Sequence, residues 1–265
     1  MPEMTDTRLA DISEFQPNID APAYLGGGYR CLIVRAHNGN RPDNMWPGRR
    51  DYLRRYDFTA LGYYQYLVTN RDPGAQARDF CNTVGPLRGN EFCICDCEAG
   101  SGSQVARVNA WFDIVDDWQG FPATLYSGES FGNSNLGGWE AWSGRPRWIA
   151  AYRSTEPTEP HELWQNTDSA HFPGLAGGVD GNLYHGTDQQ FIQRMRPGQP
   201  VPPTPEEYMA IAAALTAGGT LEVLVEASDG SVWHTWQKKG ETSWSGGQPG
   251  KQVAGLSKLC PPPGK

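Results

Sequence analysis

No run of apolar residues in this chain is long enough to span a bilayer. The amino-terminal MPEMTDTRLADISEF lacks a basic segment followed by an apolar one, so it does not read as a Sec signal peptide, and a cytosolic, soluble chain is expected. Positive charge is not in excess either. Lys and Arg number 22 against 30 Asp and Glu, a net charge of −8, so nothing points to nucleic acid or an anionic membrane as partner. The five histidines (His37, His161, His171, His185 and His234) show no H-E-x-x-H or finger spacing, and there is no C-x-x-C, so no metal or cofactor is expected. Of six cysteines, Cys93, Cys95 and Cys97 crowd one strand face, where neighbours two apart rarely reach disulfide geometry. Reduced, buried thiols follow.

What is present is a loop-rich globular composition, with 32 Gly, 21 Pro and 11% aromatic residues, in 265 residues. That length allows one sizeable core and a small second unit. Strand-like runs recur at 8–13, 29–36, 61–68, 91–98, 122–127, 146–152 and 162–167. Helical patterns lie between several of them. The clearest covers 72–85, with Asp72 as N-cap, Pro73 in the first turn, Ala77, Phe80, Cys81 and Val84 at helical spacing, and Gly85 as the stop. A second is predicted over 103–118. Strand–helix alternation argues for a parallel α/β sheet or barrel. After Ser127 the helices are expected to disappear into Gly- and Asn-rich loops.

Proline density rises over RPGQPVPPTPE, so the expected boundaries are a barrel over 1–195, a semi-rigid linker over 196–206 and a small, mainly β module over 207–265. In that module TLEVLVEA, a turn at 228–231 and VWHTWQ read as a hairpin. Residues 208–217 stay open between helix and strand, because Thr204 to Glu207 offers a capping box while the hairpin context favours a strand.

The segment FCICDCEAG at 92–100 places Asp96 and Glu98 two positions apart at a strand end, projecting together while the three cysteines face the other way. Two acids held close in a partly apolar setting should titrate apart, as glycosidase chemistry requires. An incidental acidic strand end is the plainer reading of the pair taken alone. Three further segments join it: DISEFQ from Asp11, LWQNT at 163–167 and GVDGN at 178–182. With GYYQY at 62–66, LYS at 125–127 and WIAAY at 148–152, their order and spacing resemble glycoside hydrolase family 25, the N-acetylmuramidases or lysozymes of bacteria and phages.

The resemblance, over roughly 8–190, implies an irregular TIM-like barrel with eight strands and too few helices, its site at the carboxyl ends of the strands. Asp11, Asp96, Glu98 and Asp180 match the family's four acidic positions. Glu98 is expected to be the general acid, its pKa raised by Asp96, and Asp96 to stay ionised, attacking the anomeric carbon or steadying the sugar's own N-acetyl group. Asp11 and Asp180 would orient that pair. Substrate contacts are expected from Tyr64, Tyr126 and Trp164, the last as an apolar platform, and from Gln165 and Arg35, with bracing or a plain salt bridge as their structural alternatives. Gln16 is read as a loop brace, and Tyr63 and Tyr66 as packing residues. A chitinase signature would place an aspartate at position 94, where this chain has Ile94.

The activity implied is cleavage of the β-1,4 bond between N-acetylmuramic acid and N-acetylglucosamine in peptidoglycan, in the layout of a phage endolysin held in the host cytoplasm until lysis. A bacterial autolysin and a non-catalytic barrel lectin are the alternatives. The tail resembles one repeat of bladed, propeller-like lectin modules, which implies a second wall glycan as ligand or assembly into a homo-oligomer, with Trp233, Trp236 and Trp244 as binding rings or blade core.

Overall fold

The computed structural model describes residues 6–200, Gly219, and the backbone of strands at 208–215, 221–227, 232–237 and 245–249. The chain divides into two compact units, Met1–Val201 and Pro202–Lys265. In the first, β1 (Thr7–Ile12), β2 (Cys31–His37), β3 (Ala60–Tyr66), β4 (Glu91–Asp96), β5 (Thr124–Gly128), β6 (Arg147–Ala150) and β7 (Leu163–Ala170) run parallel, each beside the next. The eighth strand, β8 (Val179–Tyr184), closes the barrel antiparallel to both β7 and β1. The fold is thus an irregular α/β barrel, and its last strand reverses the expected parallel run.

Alternation along each strand divides the side chains into two cores. Outward residues such as Ala10, Leu32, Val34, Tyr63, Cys93, Cys95 and Leu125 pack against helices. Inward residues Leu9, Cys31, Ile33, Phe92, Ile94 and Trp148 fill the barrel. At Gly62 a Cβ would stand 2.8 Å from both Ile33 Cγ1 and Phe92 Cζ, so the large neighbours leave room for hydrogen alone. Five cysteines (Cys31, Cys81, Cys93, Cys95 and Cys97) are free and buried.

The helices are α1 (Ala21–Gly26), α2 (Trp46–Leu53), α3 (Pro73–Val84), α4 (Val105–Gln119), α5 (Glu129–Asn135) and α6 (Asp188–Met195). The signals at both ends of α3 act as the sequence predicts. The Asp72 carboxylate accepts from the Ala75 N–H at 2.7 Å, and Gly85 leaves the helix at φ +66°. Helices do not vanish after Ser127: α5 and a 3₁₀ turn at Trp139–Trp142 follow β5, and α6 follows β8. The start of α6 is a capping box between Thr187 and Gln190. Its Phe191, Ile192 and Met195 join the interior core with Leu9, Cys31, Ala60 and Phe92 from the strand starts, so α6 plugs the amino end of the barrel. Arg196 and Gln199 belong to this unit too, donating to the Glu91 and Gly120 carbonyls, so the proline-rich stretch begins against the barrel.

In the second unit β9 (Tyr208–Leu215), β10 (Leu221–Ala227), β11 (Val232–Gln237) and β12 (Ser245–Pro249) form an antiparallel meander. Residues 208–215 are therefore strand. Pairing along the whole of β10 supplies their hydrogen bonds. The capping box at 204–207, the turn at 228–231 and the tryptophan side chains at 233, 236 and 244 lie outside the described residues. No described helix is long and apolar enough to cross a membrane.

Candidate active site

Above the apolar filling, inward positions toward the carboxyl rim are polar or small: Asp11, Arg35, Tyr64, Asp96, Tyr126, Ala150, Gln165 and, on the reversed strand, Asp180. Asp11 and Asp180 are direct cross-strand partners. Asp180 reaches the carboxyl rim from the amino end of its own strand, because β8 runs backwards. The expectation that all four acids sit at strand carboxyl ends fails there.

Asp11 is buried, and its Oδ2 accepts from Gln165 Nε2 and Asn182 Nδ2, both at 2.8 Å. Asn182 is fixed in turn by Trp148 Nε1 at 2.7 Å, and Gln165 Oε1 accepts from the hydroxyls of Tyr126 at 2.8 Å and Tyr152 at 3.0 Å. Burial, then the Asp180 charge, push the Asp11 carboxyl up to about 7 against the pull of those two donors. Asp180 rises to about 6, through burial and Asp168.

Asp96 and Glu98 stand at different depths. Asp96 ends β4, only 5% exposed, and its buried Oδ1 has no hydrogen-bond partner. Glu98 lies two residues beyond the strand and opens to solvent. Burial raises Asp96 well above the carboxylate range, with Glu98 and Asp11 adding to it and Arg35 opposing. Glu98 is raised by burial and then by Asp180. The site thus departs from the sequence expectation: Asp96, the deeper acid, is driven toward its protonated form, and Glu98 is raised first by its own burial and then by Asp180, not by Asp96. Carboxyls that raise one another in this way do not all ionise near neutrality.

The other expected contacts divide. Tyr64 points inward, its hydroxyl raised by burial and by Asp11 and Asp96. Tyr126 is buried against Trp148, ring centroids 4.2 Å apart. Gln165 is a brace, since its amide is committed to Asp11, Tyr126 and Tyr152. Trp164 cannot serve as a platform. It alternates with the inward Leu163 and Gln165, is 5% exposed and donates Nε1 to the Ala151 carbonyl at 2.8 Å. Arg35 is held in an ion-pair cluster with Glu14 at 2.7 Å and Asp43 at 2.8 Å, while its charge opposes the rise of Asp96. Gln16 braces its loop through Ser13 N–H at 3.0 Å. Tyr63 packs outward and donates to Glu91 at 2.8 Å. Tyr66, expected to pack away, shares the inward parity of Tyr64 and feels Asp96 and Glu98. Among the described residues no group of three His, Cys, Asp or Glu side chains is arranged to hold a metal ion.

The family model of glycosyl hydrolases family 25 matches residues 10–175, more than half of the chain, from the second half of β1 through β7. The chain belongs to glycosyl hydrolase family 25. Among relatives of this family 25 chain, the uncharacterized protein YegX of Escherichia coli O157:H7 is 27% identical over 192 residues, 68% of this chain and 70% of that one. The bacterial lysozyme from Streptomyces coelicolor shares the fold with a TM-score of 0.65 at 19% identity, covering 72% of this chain and 97% of that one. The catalytic domain of endolysin ply40 from bacteriophage P40 of Listeria monocytogenes does so at 0.59 and 23%, with the same coverage of 72% and 97%. Sequence reasoning missed Asn182 and Tyr152 as parts of the candidate site. Both lie inside the GVDGN and WIAAY segments, and strand parity is the signal that turns Asn182 inward.

Proposed function

We propose that this family 25 chain is a peptidoglycan hydrolase that cleaves the β-1,4 bond between N-acetylmuramic acid and N-acetylglucosamine, with retention. The observation that carries this reading is the unpartnered, buried Oδ1 of Asp96 beneath the solvent-open Glu98. A buried acceptor without a donor is costly, and the acetamido N–H of an N-acetylated sugar supplies the donor that is missing. A hydrogen bond to the ionised form lowers a raised carboxyl pKa, so substrate arrival favours release of the Asp96 proton. The carboxylate then steadies the N-acetyl group while its carbonyl oxygen attacks the anomeric carbon, or attacks that carbon itself. Glu98, raised and at the rim, protonates the leaving glycosidic oxygen. It then takes a proton from the water that opens the intermediate, which returns the site to its starting state. Asp11, braced by Gln165 and Asn182, and Asp180 opposite it hold the pair and the remaining site charge in place.

The biological role proposed is that of a phage endolysin, with a bacterial autolysin as the alternative, and with residues 207–265 binding a second wall glycan. What supports it is the pairing of a barrel with a small four-stranded meander, the strand number of one propeller blade. Mass spectrometry of products from purified cell walls tests the chemistry. Muramic acid at the new reducing end is expected, and glucosamine there, or freed peptides, would overturn it. Glu98→Gln should lower release of reducing ends by roughly 10²–10⁴-fold with the fold unchanged, and normal turnover in that variant would refute the assignment.

A further inference from the structure

Among the described residues three large apolar side chains are exposed: Phe15 at 77%, Tyr152 at 54% and Trp118 at 37%. Trp118 lies in the last turn of α4, on the outer helical layer. The other two follow the carboxyl ends of β1 and β6, so they stand on the rim that carries the acids.

Both rim rings are held rigidly. The turn bearing Phe15 has the N–H groups of Ser13, Glu14 and Gln16 bonded to Gln16 Oε1 at 3.0 Å, Asp43 Oδ2 at 3.0 Å and the Ser13 carbonyl at 3.1 Å. The Arg49 guanidinium clamps the carbonyls of Ser13 and Gln16. The Arg35 guanidinium covers one face of the Phe15 ring, 5.3 Å from its centroid, and leaves the other face to solvent. Tyr152 is fixed by its hydroxyl on Gln165 and by its neighbours, since the Ala151 N–H donates to the Gln165 carbonyl at 3.0 Å and Arg153 pairs with Glu129 at 2.7 Å. A rigid pedestal beneath an exposed ring keeps the ring in place for a ligand and reduces the ordering cost of binding.

Strand order sets their direction. Around the closed rim the sequence of features is Phe15 between β1 and β2, Asp96 and Glu98 at β4, Tyr152 at β6, and Asp180 with Asp11 at β8 and β1. The line from Phe15 to Tyr152 therefore crosses the line joining the two acid pairs.

The geometry points to Phe15 and Tyr152 as paired sugar platforms that seat a glycan strand of N-acetylated hexosamines across the acids, one ring on each side of the cleaved bond. This rests on the hydrolase reading above and extends it to how the strand is gripped. An apolar ring face matches the C–H face of a pyranose, whose hydroxyls stay hydrated at the edges. The Tyr152 hydroxyl also links its platform through Gln165 to Asp11, so sugar seated there bears on the site's acid network.

The test uses the full chain and peptide-free glycan strands of defined length, with turnover and calorimetric binding both measured. Phe15→Ala and Tyr152→Ala should each raise KM about tenfold for strands long enough to reach the lost ring; Phe15→Ala should leave the shortest cleaved strand unaffected, whereas Tyr152→Ala, which also removes the hydroxyl on Gln165, should in addition shift the pH profile of kcat. Phe15→Tyr should restore KM. Tyr152→Phe should keep KM and shift the pH profile of kcat, because it removes the hydroxyl and not the ring. Trp118→Ala should match the wild type, and thermal denaturation shows that each variant is folded. Wild-type cleavage with unchanged KM in both alanine variants at every length overturns the platform assignment alone, as does an equal effect from Trp118→Ala. A wild-type chain that neither binds nor cuts the strands overturns the hydrolase reading and the platforms with it.

Discussion

Replacing Asp11 with Asn should stabilise the barrel at neutral pH while removing its activity. The Asp11 carboxyl moves from 3.8 to about 7 on folding, a little over three pH units, through burial and the facing Asp180. A carboxyl with a raised folded pKa binds its proton more tightly in the native state. Stability is therefore highest below the unfolded value and falls as pH climbs from about 4 to about 7. Three units correspond to ~4 kcal/mol lost at pH 8 from this one buried group. Asn keeps a carbonyl oxygen for Gln165 and Asn182 and carries no charge, so it avoids that loss. After allowance for relaxation around Asp180, about 2 kcal/mol should remain, which in a domain of this size is a Tm increase of roughly 4–8 °C at pH 8. Thermal denaturation of the wild type and Asp11→Asn at intervals from pH 4 to pH 8 measures it. The two curves should converge near pH 4 and separate as pH rises. A constant offset, or a variant less stable than the wild type at pH 8, would refute the assignment of a buried, strained charge to Asp11.

Asn182→Ala removes one of the two donors on Asp11 and frees the Trp148 indole N–H, so the ionisation of Asp11 should move up by about one unit, read as a shift in the pH profile of kcat/KM on soluble wall fragments. An unmoved profile would separate Asp11 from the rate. Glu91 is fully buried, pairs through both oxygens with Arg54 and accepts from Tyr63 at 2.8 Å. Its replacement by Ala should cost about 3–5 kcal/mol in denaturant unfolding, since Arg54 loses its partner. A loss below about 1 kcal/mol would mean that the pair is weak. Removing residues 202–265 should weaken binding to intact walls more than it slows cleavage of soluble fragments. Equal losses in sedimentation and turnover assays would count against wall targeting.

The parallel strands were legible because apolar alternation in them is nearly unbroken, and β4 shows why: six consecutive residues are buried, with Phe92, Ile94 and Asp96 on one face and the cysteines on the other. The last strand was not, since Asp180 and Gly181 interrupt VDGNLY and its pattern resembles a loop. Only pairing with β1 and β7 makes it a strand. The short helices α1 and α5 bury just two residues and one residue, the latter a glycine, and leave little periodic signal. The capping box of α6 was readable, but its Phe191, Ile192 and Met195 stripe sits among turn-forming residues. At the site, the identity of the acids was visible in the sequence and their protonation was not. Which carboxyl is lifted depends on depth, and the two-residue step from Asp96 to Glu98 crosses from sealed interior to open rim.

The five described thiols share one property. Each is buried, and burial raises every one of them, Cys81 to about 11 and Cys97 to about 12. Oxidation and disulfide exchange proceed through the thiolate, and these sulfurs are kept protonated and out of reach. These five thiols are consequently poor targets for oxidation, and a passage from reducing to oxidising surroundings gives no route to cross-linking through them.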